Sequence, residues 1–281
     1  MAKRGRIFVV IFLVLLIPVL LKAPESEAKV YRGKCKSNLT WSYDSKTKTM
    51  VIDCKGDMPD DEQFYDLDMG WRKYYFKTKK VIFKKGISSI GAGAFYNFQK
   101  LEEVVLPEGL RIIKYDAFDG CRKLQFINKP STLEVIEKDV FWDVKIKSIS
   151  LKNLKKLGSE CFSGAKLQSV DIPAKCKIED SVFWSCKKLK KVTFEKGVKR
   201  ISYGMFRETG IKNIDIPGSV AQIGTYAFAN CQSLKKAIIN EGVKKISKDA
   251  FSNTALEEIT IPSTVTQLGK NAFRWESTEK S

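Results

Sequence analysis

Phenylalanine recurs at Phe95, Phe118, Phe141, Phe162, Phe183, Phe206, Phe228, Phe251 and Phe273, at intervals of 21 to 23 residues. A period this regular over most of a chain excludes an ordinary globular domain and predicts a stack of small, similar units. The register extends beyond Phe. An aliphatic residue follows each of the first eight by five or six positions: Leu101, Leu124, Ile146, Leu167, Leu189, Ile211, Leu234 and Leu256. Three residues further on comes a second, usually aliphatic position (Val104, Ile127, Ile149, Val170, Val192, Ile214, Ala237, Ile259). After two more comes a third in most copies, often followed by Pro, as at Pro107, Pro173, Pro217 and Pro262.

Each unit has a physical reading. Segments such as Ile214-Asp215-Ile216 alternate apolar and polar positions with β-branched side chains, which predicts a short strand. Proline at its end stops pairing and turns the chain. From Ile90, the inward candidates Ala94, Phe95, Phe98 and Leu101 have the spacing of a tight helical turn. The expected fold is therefore a β-rich solenoid of about nine coils, with parallel strands on one face and Phe-carrying turns on the opposite one. One coil cannot bury this apolar edge; stacked coils bury it continuously. Each buried Phe contributes roughly 1.5–3 kcal/mol.

The fullest copy, IKNIDIPGSVAQIGTYAFANC at residues 211–231, resembles the BspA-type leucine-rich repeat, a bacterial secreted and surface family. The resemblance covers residues 79–275. Residues 35–60 (CKSNLTWSYDSKTKTMVIDCKGDMPD) look like the β-hairpin module that often precedes these repeats, although Lys36 and Cys54 stand where glycine is expected. The expected organisation is a secretory signal at 1–28, a capping module at 29–78 and the solenoid at 79–281. The coils around residues 145–177 are short and degenerate, so a bend is expected there. The resemblance implies a leucine-rich-repeat protein, extracellular, that binds other macromolecules in adhesion or interaction roles and carries out no catalysis. It implies no cofactor and transfers no binding residue.

The signal is read from Lys3, Arg4 and Arg6, an uncharged apolar run at residues 7–21, and Ser26-Glu27-Ala28, with cleavage expected after Ala28. Fifteen apolar residues are short for a membrane span, which takes about 20. Membrane contact is thus expected only transiently, during export. The chain carries 50 Lys plus Arg against 32 Asp plus Glu, a net +18, of which +16 remains after cleavage. It contains no histidine, which excludes Ser-His-Asp and Cys-His hydrolysis and histidine-ligated metals.

Seven cysteines are an odd number for an exported chain. Cys121, Cys161, Cys176, Cys186 and Cys231 fall on inward positions and are expected in the core as small apolar side chains. Cys35 and Cys54 flank the predicted hairpin and are expected to form a disulfide. Residues 57–76, with their acidic run and Met69-Gly70-Trp71, lack EF-hand spacing and are expected to cap the first coil. Asn38-Leu39-Thr40 matches a glycosylation sequon.

The positions between inward strand residues face outward. There Lys190, Lys191, Lys212, Lys235 and Lys236 form a basic patch over three successive coils, with the acidic pairs Glu102-Glu103 and Glu257-Glu258 near the two ends. Two readings stand side by side: solvated surface that prevents edge pairing, or a site for an anionic partner, either an extracellular protein or an anionic polysaccharide. Further basic pairs, Lys199-Arg200 and Lys244-Lys245, lie on the following segment. Phe126 is the one aromatic among the outward strand positions, which argues against sugar stacking and against a nucleic-acid platform.

Overall fold

The computed structural model describes residues 28–35, 38–61 and 69–274. The expected signal, apart from Ala28, lies outside the described residues. So do Glu62, Asp66 and Asp68 of the acidic run.

The chain winds into a solenoid. The Phe rings stack face to face from Phe95 to Phe273, with successive centroids between 5.0 Å (Phe228–Phe251) and 6.0 Å (Phe162–Phe183) apart. All but the last are fully buried. The column continues backwards onto Trp71, whose ring stacks on Phe95 at 6.2 Å and whose Nε1 donates to Ala94 O at 3.1 Å. Beside it the buried Arg72 Nε lies 3.5 Å from Asp61 Oδ2, and Arg72 Nη1 donates to Tyr96 O at 3.0 Å.

Two faces carry parallel strands. On the first, Val30–Cys35, Leu39–Asp44 and Thr49–Cys54 are antiparallel, and Thr49–Cys54 then pairs in parallel with Lys80–Phe83, which continues to Glu103–Val105 and Phe126–Ile127. The hairpin and the first coils thus share one sheet, with Val30–Cys35 as an extra edge strand. On the second face, Gly56–Asp57, Ile87–Ile90, Ile112–Ile113, Val135–Ile136, Lys156–Leu157 and Lys177–Ile178 form a ladder in that order. Beyond the middle, both faces resume as separate sheets. Ser169–Ile172 pairs only with Lys191–Phe194. Asn213–Ile216, Lys236–Ile239 and Glu258–Thr260 form another sheet. The second face restarts at Arg200–Ile201 and continues through Gln222–Ile223, Lys245–Ile246 and Gln267–Leu268.

The Phe-carrying segment is not the helical turn that its apolar spacing suggested. Asp116, Asp139, Glu160, Ser181, Tyr226, Asp249 and Asn271, each two residues before a Phe, have φ between 54° and 58°. Asn97, Asp143, Ser185, Glu208, Asn230 and Asn253, each two residues after, are also left-handed. These residues turn alternate N–H groups toward the next coil instead of back along a helix. Phe95 N–H donates to Ala117 O at 2.9 Å, Phe118 N–H to Val140 O at 3.1 Å and Phe251 N–H to Ala272 O at 2.7 Å. Asp and Asn recur here because they tolerate the left-handed region best after glycine.

Two cysteine expectations are corrected. The register sets Cys35 and Cys54 against Leu39 from its two sides. They are therefore two strand spacings apart, roughly 10 Å, beyond the Cα reach of a disulfide. Cys35 Sγ instead lies 3.5 Å from Met69 Sδ, and Cys54 Sγ is 3.7 Å from both Asn38 Nδ2 and Asp57 O. Asn38 Nδ2, the sequon nitrogen, also donates to Lys55 O and Asp57 O. Cys121, Cys161, Cys186 and Cys231 are fully buried, but Cys176 is only half-buried. Its coil is one residue short: Ile172 to Ile178 spans six residues, where Ile216 to Ile223 spans seven. The inward corner position is thereby displaced.

Phe162 sits between Phe141 at 5.5 Å and Phe183 at 6.0 Å. Phe162→Ala is expected to cost about 3–5 kcal/mol in urea or thermal unfolding, against a smaller loss for Phe273→Ala at the end of the column. A non-reducing digest is expected to contain no peptide linking Cys35 to Cys54. In the native protein a thiol reagent is expected to label Cys176 before Cys121, Cys161, Cys186 and Cys231. Its rate should be low, because burial pushes that thiol up to about 11.

Candidate functional site

The strand face presents a row of exposed side chains because its strands alternate: in Ser169–Ile172 and Asn213–Ile216, exposed and buried residues take turns. Lys190, Lys191, Lys212, Lys235 and Lys236 are all exposed on it. The structure does not, however, unite them as one patch of free charge. Lys235 Nζ lies 2.7 Å from Glu257 Oε1 and Lys236 Nζ 2.6 Å from Glu258 Oε2. The opposite end is arranged alike, with Lys79–Glu102 at 3.4 Å and Lys80–Glu103 at 2.8 Å. Each acidic pair thus neutralises the lysine pair of the coil before it. Lys190, Lys191 and Lys212 make no ion pair with a described residue. The ladder is also interrupted between the strand that follows Lys190 and the strand that follows Lys212.

That interruption lies beside two hollows, one on each side of the short corner at residues 173–176. One, of about 700 Å³, is lined by Ile149, Leu154, Ile172, Pro173 and Phe194 with Lys152, Lys155 and Lys175 at its rim. The other, of about 360 Å³, lies between the Cys176 corner and Val198, Lys199 and Arg200, where the second face is broken. Both trace to residue count. From the end of the first-face strand to the apolar residue of the second, Leu106 to Ile113, Phe194 to Ile201 and Ile239 to Ile246 each span seven residues, but Leu151 to Leu157 and Ile172 to Ile178 span six. A shortened corner between full ones leaves unfilled space. Around residues 145–177, where the short coils suggested a bend, the structure shows broken ladders and hollows.

On the second face the charges are largely paired. Glu134 bridges Arg111 and Lys155, and Glu179 bridges Lys156 and Lys177, at 2.9–3.4 Å. Lys199, Arg200, Lys244 and Lys245 are exposed.

The Phe-carrying face holds what the strand-face reading missed. Tyr115, Trp142 and Tyr203 are exposed there, and Arg207 lies over the rings of Trp184 and Tyr226 at 5.6 and 5.8 Å. Aromatic side chains are thus available to solvent, but on the opposite side from the lysines. The left-handed positions also stack carboxylates at coil spacing. Burial, and then the neighbouring carboxylates of Asp116 and Asp139, push Asp119 up to about 7; burial and then Asp139 push Asp116 up to about 6. Among the described residues no group of three or more Cys, Asp or Glu is disposed to hold a metal ion.

A family profile described as the BspA type leucine rich repeat region matches in six copies, over residues 73–189 and 155–279. The chain belongs to this family. Among solved structures it is similar to a leucine-rich repeat protein from Eubacterium ventriosum, with 21% identity and a TM-score of 0.67 over 86% of this chain and 68% of that one. It is also similar to a leucine-rich repeat protein from Bacteroides ovatus, with 21% identity and a TM-score of 0.43 over 85% and 79%. Comparison with curated protein sequences gave no match. Fold and family thus define a leucine-rich-repeat interaction scaffold.

Because Asp119 binds its proton more tightly folded than unfolded, its contribution to stability is present below about pH 4 and is lost as pH rises through about 7. Asp119→Asn removes that loss. The variant is expected to match the wild type near pH 4 and to exceed it at pH 8 by up to about 4 kcal/mol, read from unfolding curves at the two pH values.

Proposed function

We propose that the chain is a secreted or cell-surface protein, without catalysis, that binds an extracellular macromolecule through the strand face of its solenoid. The observation that carries this reading is the asymmetry of charge on that face. Lysines at the two ends are neutralised within the fold, whereas Lys190, Lys191 and Lys212 in the middle are exposed and make no ion pair with a described residue. Adjacent like charges at strand spacing disfavour folding, so these lysines add nothing to the stack. They suit an acidic patch on a partner protein, with adhesion as the biological context that the family suggests. Export rests on the basic and apolar character of residues 1–28. Residues 29–78 are read as the capping module of the solenoid at 79–281.

A second reading is retention on a polyanion such as a wall polymer, sulfated glycan or mucin. The exposed Lys199, Arg200, Lys244 and Lys245 on the other face favour it, because a charge-driven contact uses both faces. Salt separates the two, since exposed charge contacts weaken steeply as ionic strength rises.

The test is elution of residues 29–281 from a carboxylated resin across a salt gradient, beside Lys190→Glu/Lys191→Glu/Lys212→Glu. The triple variant is expected to elute at clearly lower salt with an unchanged melting temperature. A variant that elutes with the wild type overturns the strand-face reading. A loss matched by reversing Lys199, Arg200, Lys244 and Lys245 supports the polyanion instead.

A further inference from the structure

We infer that the larger hollow at the shortened coils is a pocket for one large apolar side chain of an acidic peptide segment. The inference rests on the strand face being the binding surface and names the chemistry that the face recognises.

The hollow is large enough, at about 700 Å³, for an aromatic or long aliphatic side chain and its flanking backbone. Its exposed apolar lining is Ile149, Pro173 and Phe194, with Leu151, Leu154 and Ile172 nearly covered behind them. Ser150, Asn153, Asp171, Thr193 and Glu195 share the wall. Ile149 and Phe194 are only half-buried there, whereas the inward corner residues of regular coils, such as Val220 and Val243, are fully buried. Apolar surface exposed in a concave wall gains free energy when covered. A sulfated or phosphorylated polymer has nothing to place there. A peptide does.

The rim selects the sign of the flanking charge. Lys152, Lys155 and Lys175 line the hollow against the two carboxylates Asp171 and Glu195. Asp171 accepts from the Thr193 hydroxyl and Glu195 Oε2 from Ala174 N–H at 2.7 Å, bonds that orient the carboxylates without cancelling their charge. Lys155 is paired with Glu134 at 2.9 Å. Lys152 and Lys175 are exposed and make no ion pair with a described residue. Thr193 and Phe194 lie on the same strand as Lys191, so the hollow opens directly beside the unpaired lysines. An extended segment crossing Lys190 and Lys191 reaches it without leaving the surface. The favoured ligand is therefore a run of Asp or Glu interrupted by one aromatic or large aliphatic residue.

The test compares poly-glutamate with a random glutamate–tyrosine copolymer matched in charge, by fluorescence polarisation at physiological salt. The wild type is expected to hold the copolymer at least tenfold more tightly. Two independent variants should remove that excess. Thr193→Trp, at an exposed strand position that suits an aromatic, fills the hollow; because it also removes the hydroxyl that Asp171 accepts from, it is read as the ratio of the two polymers' affinities, which should become equal. Lys152→Glu/Lys175→Glu reverses the rim. Equal affinity for the two polymers, or an excess that survives both variants, overturns the inference; if poly-glutamate still depends on Lys190, Lys191 and Lys212, the strand-face reading stands without it. Binding of neither polymer overturns both. Tighter binding of dextran sulfate than of the copolymer, insensitive to Thr193→Trp, overturns the peptide assignment in favour of a polyanion.

Discussion

Everything in this molecule depends on the stacking of one coil on the next. A single coil offers a Phe ring, a few aliphatic side chains and a backbone whose polar groups point along the solenoid axis. None of these is satisfied alone. The ring of Phe118 is covered by Phe95 on one side and Phe141 on the other. On the strand face N–H groups donate to the preceding coil, as from Phe126 to Glu102 O. On the Phe face they donate to the following one, as from Phe118 to Val140 O. Each coil is thus held from both sides, and stability is close to a sum of nearest-neighbour terms. The ends are where such a sum is left open. Trp71 closes the first end by standing in as one more ring, anchored by the buried Arg72–Asp61 pair.

The period was legible in the sequence because burial enforces it. Phe is invariant at its rung since any smaller residue leaves a cavity between two fixed rings. The alternation in the strands followed from the same constraint. What was not legible is how the chain turns at each Phe. Apolar spacing alone cannot separate a helical turn from two left-handed residues that flank an inward ring, because both place the same side chains inside. The clue lay in the polar positions: Asp, Asn, Ser or Gly two residues before or after most of the Phe residues, the residue types that tolerate positive φ. The Cys35–Cys54 pairing failed for a related reason. The hairpin, expected as Leu39 to Tyr43 against Thr49 to Asp53, forms as Leu39–Asp44 against Thr49–Cys54, but the additional strand Val30–Cys35 carries Cys35 to the far side of Leu39, and nothing local in its sequence marks that strand's pairing partner.

The candidate site was half visible. All five lysines are exposed where alternation placed them. Their unequal charge state is a property of the next coil, not of their own. Lys235 and Lys236 are followed 22 residues later by Glu257 and Glu258, so coil spacing brings opposite charges together. Lys191 faces Ser169 in the preceding strand, and 22 residues after Lys190 and Lys191 come Lys212 and Asn213, so no acid sits opposite. Reading a repeat protein's surface therefore means comparing residues one period apart, as one compares side chains four apart on a helix.

The shortened coils show where such a fold departs from its own rules. A regular stack leaves no concavity, because every inward position is filled by an apolar side chain in every coil. Removing one residue from the corner of two adjacent coils costs apolar packing, interrupts both ladders and partly exposes Cys176. These losses could have been reduced by restoring the full corner length, as in the coils on either side, whose corners hold Leu133 and Val198. The irregular corner instead adjoins the stretch of strand face whose lysines are left without partners. Two costs to folding, one of packing and one of like charge, thus fall at the same place on the surface. Their coincidence is what distinguishes this segment from the rest of an otherwise uniform scaffold, and it follows from residue count and coil spacing alone.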